Sequence, residues 1–278
     1  MNILVTGSSG GFGELITRTL AEDGHHVFAT MRGVAGKYVA AAGQLVEWAR
    51  TQGLTVEVLE LDVTNQASVD TAIAKILASA GHLDVVVNNA GIASKGPIES
   101  FTVAELHHVL DVNTFGSLRV NKAVLPGMRG QKSGLIIQVT SSLGRVVLPM
   151  GNAYGASKFA MEALAESLHY QLKPFNVDVA IVEPGFFPTS VMEKALVGTE
   201  SRILSAYNAV SITMPKMPEN SANPQDVADA VKRLVDMPTG QRPLRTVVGE
   251  VFTAGVEALN KAAEESTKEL WGSLGLSI

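Results

Sequence analysis

Short apolar runs alternate along the chain with longer stretches in which apolar residues recur at helical spacing. The short runs are hydrophobic almost throughout, which is typical of parallel strands that helices cover on both faces. They predict strands over Ile3–Val5, Val27–Thr30, Val56–Leu61, Val85–Asn88, Leu135–Val139, Val177–Val182 and Thr246–Val248. The longer stretches predict helices, among them Phe12–Asp23, Val103–Leu125 and Ala153–Lys173.

This alternation predicts an α/β fold in which a doubly wound, mostly parallel sheet carries helices on both faces, as in Rossmann-type domains. Residues 186–222 interrupt the pattern, because they combine few strand signals with several prolines and many large apolar side chains. A helix is expected to begin again at Asn223-Pro224, since Asn caps helices and Pro fits their first turn. We therefore expect a single domain over residues 1–278, with residues 186–222 as a substrate-binding loop or lid, either a long loop or a small helical insertion, over one end of the sheet.

Composition excludes several classes of protein. The chain of 278 residues is 46% hydrophobic, enough for a packed core, yet no apolar run reaches the length of a membrane span. The first strand pattern begins at Asn2, which leaves no room for a signal peptide and favours a cytoplasmic location. Cysteine is absent, which excludes disulfides and thiolate chemistry. A net charge of −5, with acids and bases intermixed, argues against nucleic-acid or membrane partners.

A cluster of glycines follows the first predicted strand and precedes the first predicted helix. Gly7, Gly11 and Gly13 have the spacing G-x-x-x-G-x-G, and Ser9 and Phe12 lie between them. Glycines let a backbone turn tightly and approach a ligand, and a helix N-terminus offers free N–H groups to a pyrophosphate. The segment therefore predicts a dinucleotide site, although a purely structural turn could have a similar sequence.

The end of the second predicted strand indicates which dinucleotide would bind. NAD sites usually place an acidic residue there, which accepts a hydrogen bond from the ribose 2′-hydroxyl. This strand ends in Thr30-Met31-Arg32 instead, and the planar guanidinium of Arg32 suits a 2′-phosphate. We therefore expect NADP(H) rather than NAD(H), the alternative being that Arg32 is an ordinary solvated residue.

Candidate proton-transfer residues lie in the middle of the chain. Tyr154 and Lys158 are four residues apart at the start of a predicted helix, which puts both on one helix face. A free phenol has a pKa of about 10, and a nearby ammonium lowers it towards a usable range. The pair therefore predicts a general acid or base, although Tyr–Lys at this spacing often serves packing alone. Upstream, a strand ends in Thr140-Ser141-Ser142, where a hydroxyl can bind a carbonyl oxygen or merely cap a turn.

Further motifs occur in the order that a known family has them. Asp62-Val63 follows the third predicted strand, Asn88-Asn89-Ala90-Gly91 ends the fourth, and Asn113 lies in Asp-Val-Asn. Pro184-Gly185 and Thr189 follow the sixth strand. Together with the glycine cluster and the Tyr-x-x-x-Lys pair, these motifs make the chain resemble the short-chain dehydrogenase/reductase family, in its compact single-domain branch, over nearly its whole length.

The resemblance implies an NADP(H)-dependent oxidoreductase that interconverts an alcohol and a ketone or aldehyde. It implies that Tyr154 gives or takes the proton, Lys158 lowers the tyrosine pKa, Ser141 orients the carbonyl and Asn113 holds a water linking Lys158 to solvent. The cofactor would lie against Gly7, Ser9, Gly11, Phe12, Gly13, Arg32, Asp62, Val63, Asn89, Ala90, Gly91, Tyr154, Lys158, Pro184, Gly185 and Thr189.

Two departures from the family's pattern affect these assignments. The family often has Ser-Ser-x-x-Gly where this chain reads Thr140-Ser-Ser-Leu-Gly144. The family spacing counted back from Tyr154 points to Ser141 as the catalytic serine, and Ser142 is the alternative. Many NADP-dependent relatives also have a basic residue where this chain has Gly10, which places more of the phosphate recognition on Arg32, together with Ser9.

The segment after the Pro184-Gly185 motif suggests the substrate class. It contains the large apolar or aromatic residues Phe186, Phe187, Val191, Met192, Leu196, Ile203, Leu204, Tyr207, Met214 and Met217. An apolar lid would suit a hydrophobic ketone, alcohol, steroid or aromatic aldehyde, although the same side chains could pack the insertion onto the domain.

Other features are expected to play no direct part in the chemistry. The pairs His25-His26 and His107-His108 have no nearby cluster of carboxylates in the sequence, and we expect no metal. Relatives usually pair through the helices that carry Asn113 and Tyr154, so the resemblance implies a homodimer or homotetramer.

Three alternative functions fit this sequence less well than an oxidoreductase does. A dinucleotide-sensing regulator would need no proton relay, whereas Asn113, Ser141, Tyr154 and Lys158 are all present. A lyase of the halohydrin dehalogenase kind resembles this chain around Ser and Tyr, but it has Arg in place of the lysine and lacks the nucleotide glycines. An epimerase of the family's longer branch would need a larger substrate domain. The sequence does not identify the substrate.

Overall fold

The computed structural model describes residues 1–189, 191–204, 206–207, 223–250 and 253–275. The strands are β1 (Asn2–Thr6), β2 (His26–Met31), β3 (Val56–Glu60), β4 (Val85–Asn88), β5 (Ser94–Lys95), β6 (Gly134–Val139), β7 (Val177–Pro184), β8 (Leu196–Val197) and β9 (Arg245–Val248). The helices are α1 (Gly11–Glu22), α2 (Val39–Gln52), α3 (Gln66–Ala80), α4 (Val103–Leu110), α5 (Gly116–Gln131), α6 (Asn152–Leu172), α7 (Ser201–Leu204), α8 (Gln225–Asp236) and α9 (Thr253–Ser273). A π-helical segment, Asp111–Phe115, joins α4 to α5.

Seven strands form one parallel sheet in the order β3-β2-β1-β4-β6-β7-β9. The chain leaves β1 in one direction to build β2 and β3, then returns past β1 to build β4, β6, β7 and β9. The reversal between β1 and β4 creates a crevice at the carboxyl ends of these strands, where sheets of this kind bind ligands. β5 and β8 pair separately as a two-stranded sheet.

Alternate residues along each strand supply two cores, one on each face of the sheet. Ile3 and Val5 of β1 pack with α1 and α8, whereas Leu4 between them packs on the face that α3, α5 and α6 cover. All three side chains are fully buried. Full burial of such a side chain contributes about 1.5–3 kcal/mol, which explains why the central strands are hydrophobic throughout.

The predicted fold class is confirmed, and each predicted strand lies in the large sheet. The helix predicted over Val103–Leu125 is interrupted, because the π-helical segment shifts the hydrogen-bonding register over Asp111–Phe115. α5 also continues past Pro126 to Gln131, beyond the expected end at Leu125. The pairing of β5 with β8 was not predicted, since two-residue strands carry no periodic signal.

The segment 186–222 is described in part, over 186–189, 191–204 and 206–207, and there it forms β8, α7 and connecting turns. Met214 and Met217 lie outside the described residues. α8 begins at Gln225, immediately after the predicted Asn223-Pro224 start. Among the residues that the structure describes, no helix has the length and apolar character needed to cross a bilayer.

The expectation that His25 lacks nearby carboxylates is wrong. Asp236, at the end of α8, approaches Asp23 and His25, which lie between α1 and β2. A residue more than two hundred positions away in sequence could not enter a local prediction. The ammonium of Lys232 lies 2.9 Å from Asp23 Oδ1 and 2.7 Å from Asp236 Oδ2, so the acidic pair is already balanced by a cation.

Candidate active site

A cavity of about 760 Å³ opens at the carboxyl edge of the sheet. Sixteen of the residues predicted from sequence line it, which shows that motifs spread over the chain converge on one place. They are Gly7, Ser9, Gly11, Phe12, Arg32, Asp62, Val63, Asn89, Ala90, Gly91, Ser141, Tyr154, Lys158, Pro184, Gly185 and Thr189. The two remaining predicted residues, Gly13 and Asn113, lie behind the cavity wall.

The glycine loop between β1 and α1 fits a dinucleotide pyrophosphate. Gly7 and Gly11 have positive φ values of 72° and 56°, a region that favours glycine. A Cβ on Gly13 would lie 2.5 Å from Asn89 Nδ2 and closer still to Gly7 O, so that position has no room for a side chain. Gly10 occupies the N-cap position of α1 and has no side chain to cap the helix. The first N–H groups of α1 therefore remain for an anionic ligand.

Thr6 and Asn89 tie this loop to the end of β4. Thr6 Oγ1 accepts hydrogen bonds from the N–H groups of Asn89 and Ala90, each at 3.0 Å. Asn89 Nδ2 donates to Thr6 O at 2.9 Å and to Gly7 O at 3.3 Å. The two sides of the crevice are therefore fixed to each other at its floor.

Arg32 and Asp62 lie at the outer end of the cavity, after β2 and β3. Arg32 is exposed and follows the last residue of β2. Asp62 Oδ1 accepts hydrogen bonds from Thr64 N at 2.9 Å and Thr64 Oγ1 at 2.7 Å, which shapes the turn that carries Val63. A carboxylate missed by the sequence analysis, Glu60, lies nearby and accepts from the N–H groups of Gly33 and Val34, each at 2.7 Å.

Ser141, Tyr154 and Lys158 form the inner end. Ser141 Oγ accepts a hydrogen bond from Leu143 N at 3.1 Å and donates to Pro184 O at 3.5 Å, and Ser142, also buried, lines the cavity beside it. Burial raises the pKa of Tyr154, and the interaction of the phenol with the Ser141 side chain opposes that rise. The ammonium of Lys158 lies 5.6 Å from the centre of the Tyr154 ring and donates to Val139 O at 3.0 Å. Burial lowers the pKa of Lys158 to about 8.

Asn113 occupies the π-helical segment, a distortion that is frequent at functional sites. Its Oδ1 accepts from Ile92 N at 2.8 Å, and its Nδ2 donates to Ile92 O at 3.0 Å and to Ser157 Oγ at 2.9 Å. Ser157 in turn donates to Tyr154 O at 2.7 Å. Asn113 therefore joins the loop after β4 to the first turns of the helix that carries the tyrosine.

Comparison with known proteins agrees with this geometry. The family model described as short chain dehydrogenase matches residues 1–199. The chain belongs to this family. The 3-ketodihydrosphingosine reductase of Bacteroides thetaiotaomicron is 33% identical over 251 residues, which are 89% of this chain and 87% of that protein. Human retinol dehydrogenase 8 (Homo sapiens) is 35% identical over 258 residues, 87% of this chain and 79% of the relative.

Solved structures share the fold of this dehydrogenase. The alcohol dehydrogenase of the archaeon Thermococcus sibiricus, complexed with 5-hydroxy-NADP, has a TM-score of 0.74 and 28% identity, covering 90% of this chain and 97% of that one. The protein is thus an oxidoreductase that acts on alcohol or carbonyl groups of small molecules with a nicotinamide cofactor.

The dehydrogenase also contains a side-chain cluster that the sequence analysis missed. Ser94, on β5, accepts a hydrogen bond from Tyr154 N at 3.0 Å and donates to Asn152 Oδ1 at 3.1 Å. Asn152 Nδ2 donates to Gly96 O at 2.5 Å, and its Oδ1 also accepts from Ala153 N. Because β5 has no strand periodicity, nothing in the sequence placed Ser94 against the first turn of α6.

The rest of the cavity wall is formed largely by the turn before α6 and by the segment after β7. Most of these side chains are apolar: Leu143, Leu148, Pro149, Met150, Phe186, Phe187, Val191, Met192, Val197 and Leu204. Lys95, Lys194 and Tyr207 also line it, and the phenol of Tyr207 donates to Glu99 Oε2 at 2.7 Å. Phe187 packs edge-on against Phe12, with 5.5 Å between ring centres, so it belongs partly to the core.

Proposed function

We propose that this dehydrogenase uses NADP(H) to interconvert a hydrophobic alcohol and its ketone or aldehyde, with Tyr154 as general acid and base. The observation that carries the proposal is the placement of Ser141, Tyr154 and Lys158 on the wall of the cavity that also contains the glycine loop. A nicotinamide cofactor bound at that loop and the phenol of Tyr154 on α6 would then both face a substrate in this cavity. One would transfer a hydride to or from the substrate carbon, and the other a proton to or from its oxygen.

A bound nicotinamide cofactor supplies or takes up the hydride. The protein's own groups handle the proton: the phenol of Tyr154 donates it to the carbonyl oxygen during reduction and takes it from the alcohol during oxidation. The hydroxyl of Ser141, which lines the same cavity as the phenol, orients the same oxygen. Burial raises the pKa of Tyr154, so the phenol holds its proton at neutral pH, and the nearby ammonium of Lys158 favours its release.

The preference for NADP(H) rests on charge at the end of β2. Arg32 lines the cavity there and is exposed, free to meet a 2′-phosphate with its guanidinium. Glu60, the nearby acid, already accepts from two backbone N–H groups of the loop after Arg32. A ribose 2′-hydroxyl would therefore compete for an engaged carboxylate, whereas a 2′-phosphate would gain a cation.

The preference for a hydrophobic substrate rests on the apolar lining of the segment after β7. Val191, Met192 and Leu204 border the cavity without belonging to the sheet cores, so packing alone does not account for their position. The relatives are named for retinol, a hydroxysteroid and a ketodihydrosphingosine, compounds with large hydrocarbon parts, and a substrate with such a part fits this lining.

We also propose that the protein pairs through α4, the π-helical segment and α6. Their outer faces expose Val103, Phe115, Phe159 and Leu164, with Val103 81% exposed. Exposed large apolar side chains on these elements are what a subunit interface would cover.

The test is an assay of the purified protein with NADPH or NADH and a panel of hydrophobic ketones and aldehydes, following the loss of reduced-nicotinamide absorbance. We expect turnover with NADPH, and we expect Tyr154→Phe to lower it by about 10²–10⁴-fold with NADPH affinity, read by fluorescence, nearly unchanged. Tyr170→Phe is the matched control, because Tyr170 lies on the same helix and bonds to Glu166 instead.

The outcomes separate the alternatives. Activity retained in Tyr154→Phe would refute the tyrosine assignment. Tight NADPH binding without turnover of any panel member would favour a non-catalytic, NADP(H)-binding sensor on the same fold.

A further inference from the structure

The face of α6 that carries Tyr154 and Lys158 also carries two acidic residues farther along the helix. Glu162 and Glu166 follow at the same four-residue spacing, so all four side chains share one face of α6. Tyr154 and Lys158 line the cavity, whereas Glu162 lies beneath it and is 2% exposed. A carboxylate so deeply buried needs partners, since an isolated buried charge is strongly unfavourable.

Glu162 has partners on two other elements. Its Oε1 accepts a hydrogen bond from Thr140 Oγ1 at 2.6 Å, directly before Ser141 in the chain. Its Oε2 accepts from Arg245 Nε, on β9, at 2.9 Å. A Cβ on Gly144 would lie 3.0 Å from Glu162 Cγ, so the glycine provides the space that the side chain occupies. The carboxylate is therefore held in one position, one helical turn from Lys158.

Other charged groups surround this position. Arg245 also pairs with Glu166 at 2.7 Å and lies 3.6 Å from Glu183 of β7. Glu183 is fully buried, accepts from Asn260 of α9 at 2.5 Å, and interacts electrostatically with Arg145. Glu264 of α9 likewise faces Arg245.

We propose that Glu162 is a positioning residue for Lys158: its buried carboxylate, beneath the cavity, keeps the Lys158 side chain at the cavity wall in the ammonium form. The proposal deepens the proposed function, since the ammonium is what assists Tyr154. The hydrogen bond of Lys158 to Val139 O does not by itself fix the protonation state, because a neutral amine could donate to the same carbonyl.

The electrostatic effect of Glu162 on Lys158 favours the ammonium form. Burial lowers the pKa of Lys158 to about 8, and the charge of Glu162 opposes this effect. Burial raises the pKa of Glu183 to about 8, with repulsion from Glu162 adding to the rise. Burial therefore favours the neutral form of Glu183, whereas both oxygens of Glu162 accept hydrogen bonds, one of them from the guanidinium of Arg245.

The experiment reads the titration of Lys158 directly. Trace labelling with acetic anhydride between pH 6 and 11, followed by mass spectrometry of the Lys158 peptide, follows the fraction of free amine. We expect Glu162→Gln to lower the Lys158 midpoint by about one pH unit. Glu166→Gln is the matched control, because Glu166 also pairs with Arg245 but lies a turn farther along α6 from Lys158. In this variant the titration midpoint of Lys158 should equal the wild-type value.

Further variants separate charge from packing. Glu162→Asp keeps the charge and should keep the wild-type midpoint, so a drop of a full unit there would overturn the proposal. If Glu162→Gln does not fold, Glu162→Met is the second variant, because it removes the charge at similar volume while Arg245 keeps its ion pair with Glu166. The lowered midpoint is expected there too. An unchanged midpoint in whichever variant folds would overturn the proposal.

The labelling readout does not depend on turnover. If the carbonyl panel gives no activity, the proposed function fails while the Lys158 midpoint still tests Glu162. If turnover is found, Glu162→Gln should also move the alkaline limb of the kcat/KM profile for reduction to lower pH, in parallel with the labelling midpoint.

Discussion

At the scale of single residues, the proposed preference for NADP(H) depends on Arg32. Arg32 is exposed at the end of β2, and the adjacent carboxylate of Glu60 is engaged by Gly33 N and Val34 N. The sequence pointed to Arg32 because the expected acid was missing at this strand end. The sequence did not predict that Glu60 would lie beside the loop after Arg32, because that position depends on the pairing of β3 with β2.

Removal of this cation should change cofactor choice. We expect Arg32→Ala to raise KM for NADPH about 10- to 100-fold, because a hydrogen-bonded charge pair is lost, and to leave KM for NADH nearly unchanged. Steady-state kinetics with both cofactors would show the ratio. Arg50→Ala, which removes an exposed arginine paired with Glu47 on α2, is the control. Equal losses with both cofactors, or a wild-type preference for NADH, would contradict the assignment of the 2′-phosphate to Arg32.

At the scale of elements, the start of α6 is held by a neighbouring loop. Asn152 and Ser94 connect the first turn of this helix to β5, and Ser94 accepts directly from Tyr154 N. The position of the tyrosine therefore depends on a strand of two residues on a separate small sheet. Loss of this connection should affect rate more than stability, because the large sheet and its cores are untouched.

We expect Asn152→Ala to lower kcat about tenfold or more, since small displacements of a reacting group are costly, with little change in melting temperature. Gln171→Ala, at the exposed far end of the same helix, should leave kcat unaffected. Steady-state kinetics and thermal unfolding of both variants provide the test. A large fall in melting temperature together with unchanged kcat in Asn152→Ala would show that the connection serves folding instead.

Predictability from sequence follows the range of the interactions. The helix pair Tyr154 and Lys158 was found because its spacing is local, and the strands were found because burial on both faces makes them hydrophobic throughout. The β5–β8 pairing, and the contact of Arg245 with Glu162 across 83 positions, depend on tertiary packing and leave no local trace. The π-helical segment at Asp111–Phe115 likewise differs from a regular helix by a shift that apolar periodicity does not record.

At the scale of the whole molecule, the buried carboxyl of Glu183 links stability to pH. Burial raises its pKa to about 8, well above the ordinary value of 4.5, so the folded protein holds a proton that the unfolded chain has released. Between these values the unfolded state binds fewer protons, and the free energy of unfolding falls as pH rises. The contribution of the neutral carboxyl is complete below about pH 4.5 and is lost as pH passes through about 8.

Glu183→Gln should remove this dependence, because an amide matches the neutral carboxyl and does not ionise. We expect the variant and the wild type to have similar free energies of unfolding near pH 5, and the variant to be more stable by at least about 1 kcal/mol at pH 9. Urea unfolding at intervals between pH 5 and 9 would measure the difference. Glu265→Gln, at an exposed position on α9, is the control: its free energy of unfolding should change with pH as that of the wild type does. A parallel profile for Glu183→Gln would mean that the carboxyl is ionised in the fold.

Amino-acid substitutions in the two halves of the cavity should have different effects on folding and on binding. The half beside the glycine loop consists of backbone, glycines and strand ends that the cores of the sheet hold in place, so substitutions there threaten folding as well as the proposed cofactor binding. On the other half, where we propose that the substrate binds, Leu148, Met192 and Leu204 border the cavity from outside those cores. Descendants of this protein could therefore acquire new substrates through a few surface-loop mutations while keeping the same cofactor and nearly the same thermostability.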